Sequence, residues 1–109
     1  MADTSDGGGQ IRQVSEELPL DRAVAVQLGT QIRELRESRR LTQEKLADEV
    51  GLTRNHIQLL ESGLSARAKN SPANPRLSTL LALSQALGAR LRIDTVTNSK
   101  VIIELVEPE

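Results

Sequence analysis

Cysteine and all three aromatic residue types are absent from this 109-residue chain. Without cysteine the chain forms neither disulfides nor thiolate metal sites. Without Phe, Tyr or Trp it has no ring on which an unpaired base could stack, which argues against the usual modes of RNA and single-strand binding. The core must therefore be built from Leu, Ile, Val and Ala, which is feasible for a small helical domain.

Long apolar segments are missing as well. No stretch approaches the roughly 18 apolar residues of a membrane helix, and no secretory signal is visible, so we expect a cytoplasmic protein without a membrane partner. His56 is the one histidine. The glycine run at residues 7–9 lies in a tail, and acidic residues do not cluster at metal-ligand spacing. These absences predict no enzyme, no catalytic residues, no metal site and no cofactor.

Charge is distributed unevenly along the chain, although its net value is only −1. Residues 1–26 sum to −3 and residues 91–109 to −2, whereas residues 27–90 carry ten Lys or Arg against six Asp or Glu, a sum of +4. A local basic surface suffices for contacts with phosphates, and acidic ends limit sequence-independent binding. Length and charge together predict one domain with tails.

Residues 42–62 predict two short helices joined by a tight turn. Thr42 and Thr53 are suited to N-cap positions, and Gly51 suits the left-handed end of the first helix. Apolar residues at helical spacing form one face of each helix, namely Leu46, Ala47 and Val50, then Ile57 and Leu60. The second helix keeps a polar face. This is the pattern of a helix-turn-helix, whose second helix is offered to the DNA major groove.

The same stretch resembles the helix-turn-helix of the lambda-repressor/Cro type, the XRE family. The residues that carry the resemblance are Gln43, Leu46, Ala47, Val50, Gly51, Thr53, Ile57, Leu60, Glu61 and Gly63. The resemblance covers roughly residues 27–88. It implies a mostly α fold, a four-helix lambda-repressor-like domain. It also implies a sequence-specific double-stranded DNA-binding transcriptional regulator that acts as a repressor.

The remaining segments complete the predicted fold. The first helix is predicted over residues 21–39, with Asp21 suited to its N-cap position and an apolar stripe at Val24, Leu28, Ile32 and Leu35. Gly29 within it predicts a weakness of about 1 kcal/mol relative to Ala. A fourth helix is predicted over residues 77–88. We therefore divide the chain into a disordered N-terminal arm (1–19), a DNA-binding domain (20–89) and a C-terminal β-hairpin (90–109).

The hairpin is predicted because RLRIDTV alternates, VIIELVE is rich in β-branched residues, and Asn-Ser between them suits a turn. An isolated hairpin is only marginally stable in water. It therefore needs a partner, either a second copy across a two-fold axis or its own domain. Such an ending is similar to that of some antitoxin repressors, in which a strand after the fourth helix builds the dimer sheet. We expect a homodimer with the hairpin as the dimerisation element.

The resemblance assigns base reading to helix 53–62, chiefly to Arg54 and Asn55. Arg bonds guanine and Asn bonds adenine bidentately. Gln58 and His56 are further candidates for base contacts, and Leu59 either touches a thymine methyl or packs. Candidates for phosphate contact are Arg36, Gln43, Thr53, Arg67, Lys69 and Asn70. The resemblance also implies an ion pair between Arg36 and Glu61.

The sequence alone is compatible with two functions of different classes. In one, the protein is a repressor that occupies promoter DNA as a dimer. In the other, it is the antitoxin of a toxin–antitoxin pair, which binds a toxin protein and regulates its own operon. The predicted C-terminal hairpin, which is similar to the ending of some antitoxin repressors, and the acidic tails motivate the second hypothesis.

Overall fold

Four helices and an antiparallel hairpin follow one another in the computed structural model, which describes residues 20–96 and 100–108. Helix α1 spans Arg22–Ser38, α2 Gln43–Val50, α3 Arg54–Glu61 and α4 Leu77–Leu87, and the strands are β1 Arg90–Val96 and β2 Lys100–Val106. The predicted fold class, a mostly α four-helix domain with a C-terminal hairpin, is confirmed. The predicted N-terminal arm and the tip of the hairpin lie outside the described residues.

The first three helices begin at the caps that the sequence predicts. Side-chain oxygens of Asp21, Thr42 and Thr53 each accept a hydrogen bond from the backbone N–H three positions on, at 3.0–3.1 Å. Each such cap contributes about 1 kcal/mol to stability, because it satisfies one backbone donor that the helix leaves unpaired. Helix α2 ends at Gly51 with φ 76°, a conformation that costs glycine nothing.

One aliphatic core is shared by the helices and the hairpin. It consists of Leu20, Val24, Ala25, Leu28, Ile32, Leu35, Leu46, Ala47, Ile57, Leu60, Ala73, Leu80, Leu83, Leu87, Ile103 and Leu105. The apolar stripe predicted for α1 is buried in this core. Since β2 contributes Ile103 and Leu105, the hairpin is part of the domain and not an appendage.

The hairpin register is regular from Arg90 opposite Val106 to Val96 opposite Lys100. Strand β2 packs against α1 and β1 against α4. Polar contacts add to this packing, since the Leu105 N–H donates to Gln31 Oε1 at 2.9 Å. Within the described residues, the hairpin packs against its own domain, which is one of the two partners predicted for it.

The C-terminal end of α1 also binds the end of the hairpin. Arg39 donates from Nη1 and Nη2 to the two carboxylate oxygens of Glu107, both at 3.0 Å, and from Nε to the Leu87 carbonyl at 2.7 Å. The hydrogen bond from Arg39 lowers the pKa of Glu107. An acidic residue of the tail is therefore paired within the domain.

Helices α1 and α3 cross at Gly29, where no side chain fits. A Cβ built on Gly29 would lie 2.4 Å from the Leu60 carbonyl oxygen and 2.6 Å from that of Glu61. Gly29 is thus required by the close approach of the C-terminal turn of α3. The expectation that Gly29 merely weakens α1 was wrong, because helix propensity does not include a tertiary contact of this kind.

A buried ion pair joins the same two helices about two turns of α1 further on. Arg36 donates from Nε to Glu61 Oε2 at 2.6 Å and from Nη2 to Oε1 at 3.2 Å. Its Nη1 donates to the Leu41 carbonyl at 2.7 Å, and Gln43 Nε2 donates to Glu61 Oε1 at 3.1 Å. The Glu61 side chain is only 3% exposed. The predicted pair therefore lies in a network that holds α1, α2 and α3 together.

Gly29→Ala should destabilise the protein by about 1–3 kcal/mol, because the added methyl overpacks a backbone contact. Helix propensity alone predicts the opposite sign, a gain of about 1 kcal/mol. Urea unfolding followed by far-UV circular dichroism measures the difference. Gly51→Asn is the control, since nothing lies near a Cβ there and Asn tolerates the left-handed conformation. An unchanged or raised stability of Gly29→Ala would contradict the crossing described here.

Glu61→Leu should cost about 3–5 kcal/mol of unfolding free energy, because it removes the buried carboxylate that balances the Arg36 charge and leaves only the Leu41 carbonyl and the exposed Glu37 near it. The double variant Arg36→Met/Glu61→Leu should be more stable than Glu61→Leu alone, since no unpaired charge remains. Urea unfolding of both proteins tests this. If the double variant is no more stable than the single one, the cost does not come from the unpaired guanidinium.

Candidate nucleic-acid interface

Helices α2 and α3 with the turn between them form the helix-turn-helix. The Leu52 N–H donates to the Ala47 carbonyl at 2.9 Å, which closes the turn after Gly51. Ala47 is 2% exposed, and its small side chain lets the two helices pack closely. Ile57, Leu60 and Glu61 are buried on the inner side of α3. The orientation of α3 is therefore determined by contacts on its inner side, and its outer side is left to solvent.

The outer side of α3 presents Arg54, Asn55 and Gln58, which are all exposed. Within the described part of the chain, these three side chains form no hydrogen bond or ion pair. A guanidinium and two amides offer donors and acceptors that match the edges of bases in a major groove. Three of the predicted base-reading residues are thus brought together on one open surface.

His56 and Leu59 differ from those three in burial. Both side chains are half-buried. His56 lines a cavity of about 140 Å³ beside Arg67 and Arg76, between α3, the following loop and α4. Burial, together with the positive charge of Arg67, lowers the pKa of His56, so the imidazole is neutral at neutral pH. The structure thus places His56 at the side of α3 that meets the loop.

The loop between α3 and α4 is folded around Ser65, which is 7% exposed. Ser65 Oγ accepts hydrogen bonds from the N–H groups of Arg67 and Ala68 at 3.1 Å and lies 3.3 Å from Asn74 Oδ1. Leu64 and Pro72 form an isolated β-bridge across the loop. Sequence reasoning missed the role of Ser65, although serine followed by backbone donors two and three residues on is a known turn pattern.

This fold of the loop leaves Arg67, Lys69 and Asn70 exposed near the end of α3. Asn70 adopts a left-handed conformation with φ 60°. Its carbonyl accepts a hydrogen bond from Arg22 Nη2 at 3.0 Å, which joins the loop to the start of α1. The loop is therefore ordered by its own hydrogen bonds, and it exposes two positively charged side chains.

The other three phosphate candidates have partners inside the domain. Arg36 and Gln43 donate to Glu61, and Thr53 Oγ1 accepts from the His56 N–H as the cap of α3. Arg36 has 11% of its side chain exposed, and the hydrogen bond to Glu61 raises its pKa. These residues position α3, whereas the loop residues remain open to solvent.

Neither a metal centre nor a membrane span is apparent in residues 20–96 and 100–108. No group of three or more potential ligands among His, Cys, Asp and Glu comes together there. None of the helices there is both long and apolar enough to cross a membrane.

Comparison with known proteins agrees with this geometry. The family model described as a helix-turn-helix domain matches residues 27–92, which is more than half of the chain. Among solved structures, the restriction-modification controller protein C.AhdI from Aeromonas hydrophila is 35% identical, with a TM-score of 0.52, over 61% of this chain and 88% of that protein. No protein of curated function matches this chain significantly.

ComR from Streptococcus suis is 26% identical over 73% of this chain, with a TM-score of 0.46. The match spans only 22% of ComR, so this chain corresponds to a small part of that protein. The family match includes the α2–turn–α3 unit described above. The chain therefore belongs to the helix-turn-helix family of DNA-binding regulators.

Proposed function

We propose that this protein is a transcriptional repressor that reads double-stranded DNA in the major groove with α3. The observation that carries the proposal is the exposed set Arg54, Asn55 and Gln58. These groups are open to solvent, while the inner side of α3 packs in the core and is joined to α1 by the Arg36–Glu61 pair. A rigidly held helix with exposed donors and acceptors is what direct readout requires, because base contacts depend on geometry.

The proposal gives the exposed residues two roles. Arg54 and Asn55 read base edges, each contributing about 1–3 kcal/mol of discrimination, and Gln58 supports them. Arg67, Lys69 and Asn70 contact phosphates and set the register of α3 in the groove. Arg36, Gln43 and Thr53 act indirectly, by orienting α3. His56 and Leu59 contribute less to base contacts, because their half-buried side chains expose less surface to the DNA.

A homodimer on two half-sites completes the proposed function. Two copies of α3 enter successive major grooves about 34 Å apart, as is usual for this recognition mode. Repression follows from occupying promoter DNA. The similarity to a restriction-modification controller protein supports a regulatory role, and the cytoplasm is where such a protein meets its DNA.

The antitoxin alternative shares the DNA-binding domain but needs a segment that binds a toxin. At the C-terminal end, Ile103 and Leu105 are buried in the chain's own core, and Glu107 is bound by Arg39. The described part of the tail is thus already engaged, and we favour the repressor. Isolation of the protein from its source with a stoichiometric toxin would reverse this preference.

The protein should bind its own upstream region at least about a thousandfold more tightly than a scrambled duplex of equal length. Labelled DNA is titrated, since the chain has no Trp or Tyr for optical detection. Arg54→Ala should lose about 10- to 100-fold on the specific duplex and much less on the scrambled one. Equal binding of both duplexes by the unaltered protein would contradict sequence-specific reading by α3.

Arg67→Ala is the matched variant, because it also removes one exposed positive charge but from the loop. It should weaken binding to both duplexes by a similar factor. The slope of log K against log salt concentration should fall by about one, since one fewer counterion is released. If Arg67→Ala removes the preference and Arg54→Ala does not, the proposed roles of α3 and the loop are interchanged.

A further inference from the structure

The cavity of about 140 Å³ beside α3 has no role in the proposed function. It lies between α3, the loop that follows α3 and the start of α4, and Leu52 of the turn before α3 also lines it. An engineered protein cavity of about 150 Å³ admits benzene. The space beside α3 is therefore large enough for a six-membered ring or an alkyl group of similar size.

The inner wall of this cavity is apolar. Leu60, Ala73 and Pro75 line it and are buried, and the half-buried Leu52 and Leu64 extend the same surface. An apolar wall offers no hydrogen bonds to water, so an apolar group that covers it is favoured over solvent. The inner part of the cavity therefore suits the hydrocarbon part of a ligand.

The mouth of the cavity is positively charged. Arg67 and Arg76 both line it and are exposed. None of the described residues that line the cavity carries a carboxylate. Guanidinium groups match the planar shape of a carboxylate and bind it with charge-assisted hydrogen bonds. The mouth therefore favours an anion, and a carboxylate above all.

His56 adds a neutral polar group to the same cavity. Burial and the charge of Arg67 hold the pKa of His56 below its ordinary value. The neutral imidazole keeps one N–H donor for an anion. An anion bound beside it would favour the imidazolium and so raise the pKa of His56. This side chain therefore reports on occupation of the cavity.

We propose that this cavity binds a small organic acid, with its hydrocarbon part against Leu60 and Ala73 and its carboxylate between Arg67 and Arg76. A bare oxyanion such as phosphate satisfies the two arginines but leaves the apolar wall uncovered. A neutral ring covers the wall but leaves the positive charges unbalanced. A ring or branched alkyl group with one carboxylate satisfies both parts of the cavity.

Occupation of the cavity should weaken DNA binding. This step rests on the proposed function, in which Arg67 contacts a phosphate. A carboxylate bound at Arg67 and Arg76 neutralises part of the positive charge beside α3, so the acid and the DNA compete for the same cations. The coupling is reciprocal, since DNA must weaken binding of the acid by the same factor. The acid would therefore act as an inducer that releases the protein from DNA.

Nuclear magnetic resonance without DNA tests the site. The ring protons of His56 are the only aromatic protons of the chain, so ¹³C-labelled protein gives one clear set of signals. Benzoate is titrated at constant ionic strength, with benzamide as the neutral analogue and inorganic phosphate as the anion without a hydrocarbon part. Benzoate should bind with a Kd of about 1 mM or lower and raise the pKa of His56. Benzamide and phosphate should bind at least about tenfold more weakly.

Arg76→Gln should weaken benzoate binding by about tenfold or more, because it removes one of the two charges at the mouth. The fold should be kept, since Arg76 is exposed and its side chain does not cap α4. Far-UV circular dichroism melting verifies this. Arg33→Gln is the matched control, because it removes an exposed arginine of α1 that does not line the cavity. It should bind benzoate as the unaltered protein does.

The DNA titration is then repeated with saturating benzoate at the same ionic strength. Both duplexes should bind about fivefold or more weakly, and Arg76→Gln should remove this effect of benzoate. If benzoate binds and DNA affinity is unchanged, the inducer role is overturned. If the protein binds benzoate but no DNA, the proposed function fails while the cavity assignment holds.

Four results without DNA would overturn the site itself. One is a set of His56 signals that stays unchanged up to about 10 mM benzoate. Two others are benzamide or phosphate binding as tightly as benzoate, because either means that the cavity does not recognise an organic acid. The last is a folded Arg76→Gln that binds benzoate without loss. If Arg76→Gln is unfolded, the comparison of the three compounds on the unaltered protein still decides.

Discussion

The contact between α1 and α3 is the constraint on which the rest of this structure depends. At Gly29 the two backbones approach so closely that a methyl group does not fit. About two turns further along α1, the bidentate Arg36–Glu61 pair joins the same helices with the charge of each partner neutralised by the other. Apolar packing alone tolerates small rotations of a helix, whereas a close backbone contact and a bidentate pair do not. The outer surface of α3 therefore has one orientation.

Placement of charge explains how a chain of net charge −1 can present a surface for phosphates. Three acidic groups are paired with arginines of the domain, since Glu61 is bound by Arg36, Glu104 by Arg92 and Glu107 by Arg39. Arg67 and Lys69 stay exposed on the loop beside α3. The electrostatic field near α3 thus depends more on which charges are paired within the fold than on the net charge of the chain.

Reasoning from local pattern succeeded where the determinants are local, whereas the tertiary Arg36–Glu61 pair was predicted through the family resemblance. The caps Asp21, Thr42 and Thr53 were predictable, because a cap needs only a side chain and a backbone donor three residues away. The alternation of residues 90–96 likewise predicted a strand. Gly29 was misjudged because its contact is with a helix thirty residues away in sequence. The half-buried position of His56 was missed, since it depends on how Ser65 folds the loop over α3.

Helix α1 contacts both α3 and the hairpin. One side of it contacts α3 through Gly29 and Arg36, and it also packs against β2, where Gln31 binds the Leu105 N–H. The hairpin and the exposed face of α3 are therefore held in a fixed relation by one rigid element. In the proposed complex, in which two copies of α3 enter successive major grooves, the separation of the two helices is set by how the two rigid copies associate. The spacing of the half-sites is then determined by the fold and by that association, independently of which bases the exposed residues of α3 contact.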